Sequence, residues 1–297
     1  MTGAPQRCGY VAILGRPNVG KSTLLNVVLS QKISITSRKP QTTRHNLLGI
    51  DTDGARQAIY VDTPGIHAGA AREMNRRMVR AAASVVADVD LVVMLVDRGR
   101  WTAEDDLVLR HVRRSGTPAF AAINKIDLLP ERTAVLPVID RLAGLETFAE
   151  ILPISALKRD GVAAFRNAVF ARLPEQSHLF PADQVTDRSE RFLVGEIVRE
   201  KLVRRLGDEL PHRAAVVVES FDAGPDLVEI RAEVFVERAG QKRIVIGRDG
   251  GMLKSIGSDA RRDIEKMLGR KVMLHLWVKV RTGWTDDRSH LARMGYE

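Results

Sequence analysis

Short apolar runs that end in polar clusters recur through the first half of the chain. The first run, "YVAILG" at residues 10–15, passes into a glycine turn, and later runs end in "DTPG", "VD", "NKID" and "SAL". Segments with helical spacing lie between them, at 71–87, 102–114 and 162–172. This alternation predicts an α/β fold with a doubly wound, mostly parallel sheet. The polar clusters then meet at the carboxyl ends of the strands, where such folds bind ligands.

The pattern changes after residue 173. The prolines of "LPEQSHLFPADQVTD" interrupt it, and we predict a linker over 174–186. Beyond it the spacing predicts helix 187–206, strands near 214–221 and 227–236, helix 258–268 and strand 271–281. We therefore expect a nucleotide-binding domain at 1–173 and a smaller α+β domain at 187–297.

Composition is consistent with two soluble domains. The chain has 297 residues, of which 44% are apolar and 28% charged. A single cysteine, Cys8, excludes an intrachain disulfide and favours a reducing compartment. The longest apolar run is interrupted by Asp88 and Asp90, so we expect no membrane span. A cytoplasmic monomer is the default expectation.

Positive charge is concentrated in one part of the second domain. The net charge is +9, yet residues 182–297 hold 22 basic and 20 acidic residues. Residues 238–281 hold 12 basic residues against Asp249, Asp259, Asp263 and Glu265. A polyanionic partner is therefore expected near the glycine loop "GRDG" of that segment.

The loop "GRPNVGKS" fits the pattern G-x-x-x-x-G-K-[ST]. Gly15 and Gly20 let backbone N–H groups surround phosphate oxygens, Lys21 reaches the β and γ phosphates, and Ser22 offers a hydroxyl to Mg²⁺. A strand-to-helix turn without a ligand is the competing interpretation. The predicted nucleotide contacts of this loop are Gly15, Arg16, Pro17, Asn18, Val19, Gly20, Lys21, Ser22 and Thr23.

Two tetrapeptides at strand ends add a metal ligand and a base contact. In "DTPG", Asp62 can hold the metal and Gly65 can donate its N–H to a γ-phosphate. In "NKID", Asp127 can accept hydrogen bonds from N1 and the exocyclic amine of guanine, a donor pair that adenine lacks, which favours GTP over ATP. The other predicted contacts of these motifs are Thr63, Pro64, Asn124 and Lys125.

The motifs "GRPNVGKS", "PQTTR", "DTPG", "NKID" and "SAL" resemble those of the translation-factor-related GTPases. With "GQKRIVIGRDGG" and "LWVKVRTGW", the whole chain resembles the Era family, bacterial GTPases that carry a KH domain. The resemblance implies Mg²⁺ ligation by Thr43, although the neighbouring Thr42 is an equal candidate on sequence grounds. It also implies guanine contacts at Ser155, Ala156 and Leu157.

The resemblance extends to catalysis and to a second cation. It implies that Lys21, Thr43 and Gly65 assist hydrolysis. Asn18 is similar to the loop asparagine that lets some relatives bind K⁺, and a plain turn asparagine explains it equally well. Ile66 stands where Ras-like proteins carry a water-orienting glutamine, so we expect slow turnover until another group or partner assists. His67 is a weak substitute for that glutamine.

The loop "GRDG" fits the G-x-x-G by which KH domains clamp about four nucleotides. The element order predicts the type II KH arrangement, and the local charge favours single-stranded RNA over a plain turn. The predicted RNA contacts are Gly247, Arg248, Asp249, Gly250, Lys254, Arg261 and Arg262.

The Era resemblance implies binding of the 16S rRNA 3′ end and a role in small ribosomal subunit assembly. A protein- or membrane-docking C-terminal domain, peripheral on the inner membrane, is one alternative, and a nonspecific binder with a vestigial nucleotide site is another. The basic side chains of helix 187–206 are expected to form a solvated face rather than touch RNA or membrane. Of the tryptophans, Trp277 is expected in the core, and Trp101 and Trp284 are candidates for base stacking, Trp284 being the more open.

Overall fold

The computed structural model describes residues 5–37, 39, 42–44, 46–65, 88–98, 101–207 and 214–283. Two compact units make up the chain. The first comprises Met1–Ser34, Thr43–Ala71 and Met78–Asp187, and the second comprises Ile35–Thr42, Arg72–Arg77 and Arg188–Glu297. The predicted helix at 71–87, Ile66, His67 and Trp284 lie outside the described residues.

The first unit is built on a six-stranded sheet in the order β2-β3-β1-β4-β5-β6. Strands β2 and β3 pair antiparallel, and the other neighbours pair parallel. The strands are β1 (Arg7–Leu14), β2 (Leu47–Asp53), β3 (Arg56–Asp62), β4 (Leu91–Asp97), β5 (Ala119–Asn124) and β6 (Glu150–Pro153). The helices of this unit are α1 (Lys21–Val28), α2 (Ala103–Ser115), α3 (Leu136–Ala143) and α4 (Val162–Arg172).

Apolar runs form the central strands because both faces of a parallel sheet are covered. Every residue of β5 and six of the seven in β4 are buried. Strands β1, β3, β4 and β5 lie side by side, so the polar residues that follow them meet at one edge of the sheet. This arrangement confirms the predicted doubly wound, mostly parallel α/β fold.

Residues 174–186, for which we predicted a linker, group with the first unit. The Gln57 side chain accepts from the backbone N–H groups of Leu179 and Phe180, at 2.9 and 3.0 Å. The backbone N–H of Ile50 donates to Val185 at 2.8 Å. Prolines end the helical pattern here, but the backbone still finds partners along the edge of the sheet.

The second unit has a three-stranded sheet in the order β7-β8-β9. Strands β7 and β8 are antiparallel, β8 and β9 are parallel, and the buried side chains of the helices and strands form one core. Its elements are α5 (Glu190–Arg205), β7 (Ala214–Ala223), β8 (Leu227–Val236), α6 (Ala239–Ile246), α7 (Gly251–Leu268) and β9 (Lys271–Val280). The predicted helix at 258–268 begins earlier, at Gly251, and α6 was not predicted.

The segment Ile35–Thr42 groups with the second unit and hydrogen-bonds to α5. The backbone N–H of Thr36 donates to the Glu200 carboxylate at 3.0 Å, and Arg204 Nε donates to the carbonyl of Thr36 at 3.1 Å. Arg199 donates to the Thr42 carbonyl. This segment immediately precedes Thr43, which belongs to the first unit.

None of the described helices is both long and apolar enough to cross a membrane.

Candidate functional site

The phosphate-type loop connects β1 to α1 and depends on two close approaches. A Cβ on Gly20 would lie 2.3 Å from Asn124 Nδ2, and the φ of Gly20 is +104°. A Cβ on Gly15 would lie 2.7 Å from the carbonyl oxygen of Leu95. Only glycine fits these positions, so the loop can pass beneath the ends of β4 and β5.

Lys21 is the buried cation of this loop. Its Nζ donates to the carbonyls of Gly15 and Arg16 at 3.0 and 3.1 Å, and the residue is 6% exposed. Burial lowers the pKa of Lys21 to about 8, and the carboxylate of Asp62 partly offsets that effect. The ammonium therefore lies within the loop, as the predicted phosphate contact requires.

Three hydroxyl groups converge on the buried carboxylate of Asp62. Its Oδ2 accepts from Ser22 Oγ at 2.7 Å, Ser34 Oγ at 2.8 Å and Thr43 Oγ1 at 3.5 Å. The Ser22 and Thr43 hydroxyl oxygens lie 2.8 Å apart. Burial raises the pKa of Asp62, against the opposing effect of Lys21. The structure thus brings together the three residues predicted to hold Mg²⁺.

The cluster fits a magnesium ion by its chemistry. Asp62 Oδ1 is buried and accepts no hydrogen bond from any described residue. Such an atom is costly unless a ligand satisfies it, and hard oxygen atoms are the ligands that Mg²⁺ prefers. Thr42 is not part of the cluster, since its hydroxyl bonds Ser37 Oγ and the Lys39 carbonyl, each at 2.7 Å. The geometry favours Thr43 over Thr42.

The predicted guanine contacts lie at the ends of β5 and β6. Asn124 donates to the Val19 carbonyl at 2.8 Å and accepts from the Ala156 N–H at 2.9 Å. Ser155 Oγ donates to Asp127 Oδ1 at 2.5 Å. This hydrogen bond fixes one carboxylate oxygen of Asp127, whose side chain is exposed. Leu157 is 74% exposed beside this group. Asn124 therefore connects the phosphate loop to the predicted base contacts.

Asp97, at the end of β4, organises two of the predicted contacts and was not predicted itself. Lys125 Nζ donates to Asp97 Oδ2 at 2.9 Å and to the Asn18 carbonyl at 2.7 Å. Arg16 pairs with Asp97 at 3.5 Å and with buried Asp105 at 3.2 Å. Arg16 and Lys125 are thus held beside the loop by carboxylates.

Ser34 and Asn26 were also missed by the sequence motifs. Asn26, on α1, accepts from the N–H groups of Ile33 and Ser34 at 3.0 and 2.9 Å, and it donates to the Ser34 carbonyl at 2.7 Å. This clamp places Ser34 Oγ against Asp62. A lone serine with no motif spacing carries no signal in the sequence.

The remaining predicted contacts of the first unit occupy supporting positions. The Thr63 hydroxyl donates to the Ile13 carbonyl at 2.9 Å, and Pro64 is buried. A Cβ on Gly65 would lie 2.9 Å from Pro17, so the two loops touch there. Thr23 lies in the first turn of α1.

The second glycine loop connects α6 to α7 and is open to solvent. Gly247, Asp249 and Gly250 have φ values of 75°, 51° and 76°. A Cβ on Gly247 would lie 2.6 Å from Met252 Cβ, whereas a Cβ on Gly250 would meet nothing within 4 Å. Arg248 and Asp249 are exposed. The loop therefore has a fixed inner glycine and an accessible outer one.

The three basic residues predicted to continue this RNA track lie on different sides of α7. Lys254 and Arg261 are seven residues apart and share one flank of the helix. Arg262 bonds Asp259 on the flank that faces α5. Lys254 and Arg261 thus lie together, and Arg262 lies apart from them.

Two interpretations of single side chains were wrong. Arg199 and Lys201 of α5 are 2% and 7% exposed, so they do not belong to a solvated face. They are buried because carboxylates of Glu196, Glu200 and Asp263 pair with them. Trp277 is 46% exposed rather than core, since it alternates with core residues on the outer face of β9. Trp101 bonds Asp106 at 2.6 Å.

Two family models match separate parts of the chain. The model described as "50S ribosome-binding GTPase" matches residues 10–125, and the model described as "KH domain" matches residues 209–285. These ranges fall on the two glycine loops and their surrounding elements. They confirm a GTPase domain followed by a KH domain.

Full-length relatives extend the match. GTPase Era of Ectopseudomonas mendocina is 53% identical over 100% of this chain and 99% of its own length. The chain belongs to the GTPase Era family. GTPase Era of Marinobacter nauticus is likewise 53% identical, over 97% of this chain and 95% of its own.

Two solved structures of Era share the fold. Era in complex with MgGDPNP and nucleotides 1506–1542 of 16S ribosomal RNA matches with a TM-score of 0.94 and 37% identity. A point variant of Aquifex aeolicus Era bound to GDP.AlF4⁻ matches with a TM-score of 0.95 and 37% identity. Each match covers 98% of this chain and 99% of the other. This chain is thus a GTPase by family as well as by motif.

Proposed function

We propose that this chain is a GTP-hydrolysing switch whose KH domain binds the single-stranded 3′ end of 16S rRNA during assembly of the small ribosomal subunit. The observation that carries the proposal is the convergence of Ser22 and Thr43 on buried Asp62. It occurs in a chain that matches Era from end to end.

Hydrolysis depends on groups that stabilise charge on the transferred phosphoryl group. Lys21 donates to phosphate oxygens, and the Gly65 N–H donates to the γ-phosphate. Ser22, Thr43 and Asp62 would hold Mg²⁺, which when bound neutralises charge on the phosphate oxygens. Ile66 cannot orient the attacking water, so turnover is slow until a further group or partner supplies that function.

Guanine is selected by Asp127. Ser155 fixes one carboxylate oxygen, and the exposed carboxylate accepts from N1 and the exocyclic amine of the base. Backbone groups of Ala156 and Leu157 line the base. Asn124 ties this contact to the phosphate loop through Val19 and Ala156.

We propose further that K⁺ binds at Asn18 and supports hydrolysis. Asn18 lies in the phosphate loop with a φ of 63°, and its carbonyl is fixed by Lys125. Glycine at this position removes the side-chain amide and tolerates the same backbone. We expect GTP hydrolysis to be faster in K⁺ than in Na⁺ and Asn18→Gly to abolish that preference. Equal rates in both salts for the parent chain would leave Asn18 as a turn residue.

RNA binding is tested first with a short single strand that ends in the 16S rRNA 3′ sequence, against a scrambled strand. Fluorescence anisotropy is measured with a GTP analogue and with GDP. We expect preference for the true sequence and a stronger preference with the analogue. Equal binding of both strands, regardless of nucleotide, would reject the switch.

The glycine loop offers one informative variant. Gly250→Asp adds a negative charge where a side chain meets open space, and aspartate tolerates a left-handed backbone. We expect it to lose RNA binding while keeping nucleotide binding. Gly247→Asp is uninformative, because its side chain would collide with Met252. If Gly250→Asp left RNA binding intact, the C-terminal unit would be a docking domain for another partner.

We infer that the protein is a cytoplasmic monomer. Contact with the inner membrane is peripheral and occurs where an anionic lipid surface competes with RNA. Light scattering of the full chain tests the monomer. Sedimentation with vesicles of phosphatidylglycerol and phosphatidylethanolamine tests the membrane. Binding to vesicles at physiological salt that RNA does not displace would favour membrane docking.

A further inference from the structure

A cavity of about 440 Å³ lies between α5 and α7 of the KH unit. Every described residue that lines it is charged, five of them basic and two acidic. Lys201, Arg204 and Arg205 come from α5, and Arg262, Lys266, Asp259 and Asp263 come from α7. We name this site the basic groove.

The carboxylates of the basic groove neutralise only part of its charge. Asp259 pairs with Arg205 and Arg262, and Asp263 pairs with Lys201. The hydrogen bond from Arg205 is the main reason that the pKa of Asp259 is lowered, so this group is ionised at neutral pH. Glu200, buried behind the groove, pairs with Lys201 and Arg204. The five cations of the groove are thus balanced by only three carboxylates, one of them buried behind it.

Three cations of the basic groove reach solvent. The Arg262 and Arg204 side chains are 70% and 47% exposed. Lys266 is exposed and forms no ion pair or hydrogen bond with any described residue. The ion pair of Arg262 with Asp259 is exposed, and exposed ion pairs contribute little to stability, so folding gives little reason to place Arg262 and Lys266 together.

The lining decides the chemistry of the ligand. Pockets for small organic molecules are lined mainly by apolar and aromatic side chains, and the described lining of this groove includes no such residue. Guanidinium and ammonium groups instead present N–H donors that suit phosphate oxygens. The occupant is therefore a phosphate-bearing anion.

The position of the basic groove points to RNA. Gly250 opens α7, and Arg262 and Lys266 follow by about 18 and 24 Å along the helix axis. A G-x-x-G loop clamps about four nucleotides. The RNA solved with Era runs from 1506 to 1542, a length of 37 nucleotides. An RNA of that length extends well past the loop.

We propose that the basic groove binds the phosphate backbone of RNA beyond the nucleotides held by the Gly247–Gly250 loop. The inference rests on the proposed function of that loop. It assigns the KH unit two RNA contacts, one that accepts a short single strand and one that reads only charge.

The test compares two RNAs and two matched variants of the full chain. One RNA has the sequence 1506–1542, and the other is a single strand of about ten nucleotides with the same 3′ end. Lys266→Glu changes the groove. Lys271→Glu is the control, because Lys271 is also exposed and unpaired among the described residues but starts β9, where Val272 takes the core-facing position. Anisotropy gives the affinity of each pair across a range of salt concentrations.

We expect Lys266→Glu to weaken binding of the long RNA about tenfold and to reduce the magnitude of the negative slope of log K against log salt by about 1, as for one lost phosphate contact. Binding of the short RNA should stay within about twofold of the parent chain, and Lys271→Glu should change neither RNA. Adding Arg262→Gln to Lys266→Glu should weaken binding of the long RNA further.

Other results separate the failures. If the parent chain binds neither RNA, the proposed function fails. If it binds both but Lys266→Glu changes nothing, the groove is an ion-pair network and the inference fails alone. If Lys266→Glu weakens only sedimentation with anionic vesicles, the groove serves a membrane and the inference is overturned. Thermal unfolding of each variant shows that the fold is retained.

Discussion

The Gly15–Ser22 loop is enclosed, whereas the Gly247–Gly250 loop is open. In the first, Gly20 lies where any Cβ would reach Asn124 at 2.3 Å, and Lys21 is 6% exposed. In the second, Arg248 and Asp249 are exposed and Gly250 has open space. An enclosed loop suits a small ligand that the protein surrounds, and an open loop suits a polymer whose chain continues on both sides of the contact. Glycine serves both loops because each loop needs backbone positions that carry no side chain.

The largest effect should come from filling the enclosed loop. Gly20→Ala must strain a φ of +104° and displace Asn124. We expect a loss of about 4 kcal/mol, or about a thousandfold in GTP affinity, because strain and displacement add. Isothermal titration with a GTP analogue measures it. Affinity within tenfold of the parent chain would show that the loop is less enclosed than the contacts indicate.

The next effect concerns the predicted guanine contact at Asp127, after β5. Asp127→Asn replaces an acceptor by an amide that donates, so it repels the exocyclic amine of guanine. We expect about a hundredfold weaker GTP binding, since two hydrogen bonds to a charged group are lost. Xanthosine triphosphate should bind better than GTP, because its carbonyl accepts from the new amide. Competition between the two triphosphates tests this, and unchanged preference for GTP would exclude Asp127 from the site.

The pH dependence probes the burial of Lys21. Its pKa is lowered to about 8, so the cation is lost as pH rises, while a bound triphosphate favours the protonated form. GTP affinity should fall about tenfold between pH 7 and 9 through proton uptake. Lys21→Arg keeps its charge and should show weaker but pH-independent binding. A flat profile for the parent chain would mean that Lys21 is more solvated than its burial indicates.

The smallest effect should come from the open loop. Gly250→Ala meets no atom within 4 Å, and only its φ of 76° is unfavourable. We expect a cost of about 1 kcal/mol in unfolding free energy and at most about threefold in RNA affinity. Denaturant unfolding and anisotropy measure the two effects. A loss as large as that of Gly20→Ala would remove the contrast between the loops.

The sequence predicted which motif residues lie close together, because the spacing within each motif reflects the chemistry that its residues perform. Strand β8 occupies the predicted 227–236, and Ser22, Thr43 and Asp62 meet as expected. Helix α6 was missed because "RIVIG" is rich in β-branched residues, whose packing on the core decides their conformation. The predicted start of α7 was late, since Gly251 and Gly257 lower helix propensity and the core still holds the helix.

Residues that position other residues of the site form no recognisable motif in the sequence. Asn26, Ser34 and Asp97 lie outside the motifs, and only the fold brings them to the loop. The linker prediction for 174–186 relied on prolines, which report local conformation and not what the backbone binds. Contacts between distant segments are the information that one sequence does not display.

Asp62 ties both ends of one stretch of chain. Ser34 and Thr43 each donate to its Oδ2, and the eight residues Ile35–Thr42 run between them. The same oxygen atom thus holds both ends of the stretch, alongside Asn26 at Ser34 and Ser22 at Thr43. Closing a loop of that length costs about 2 kcal/mol of chain entropy. A ligand that draws Asp62 Oδ2 away therefore weakens the attachment of both ends at once.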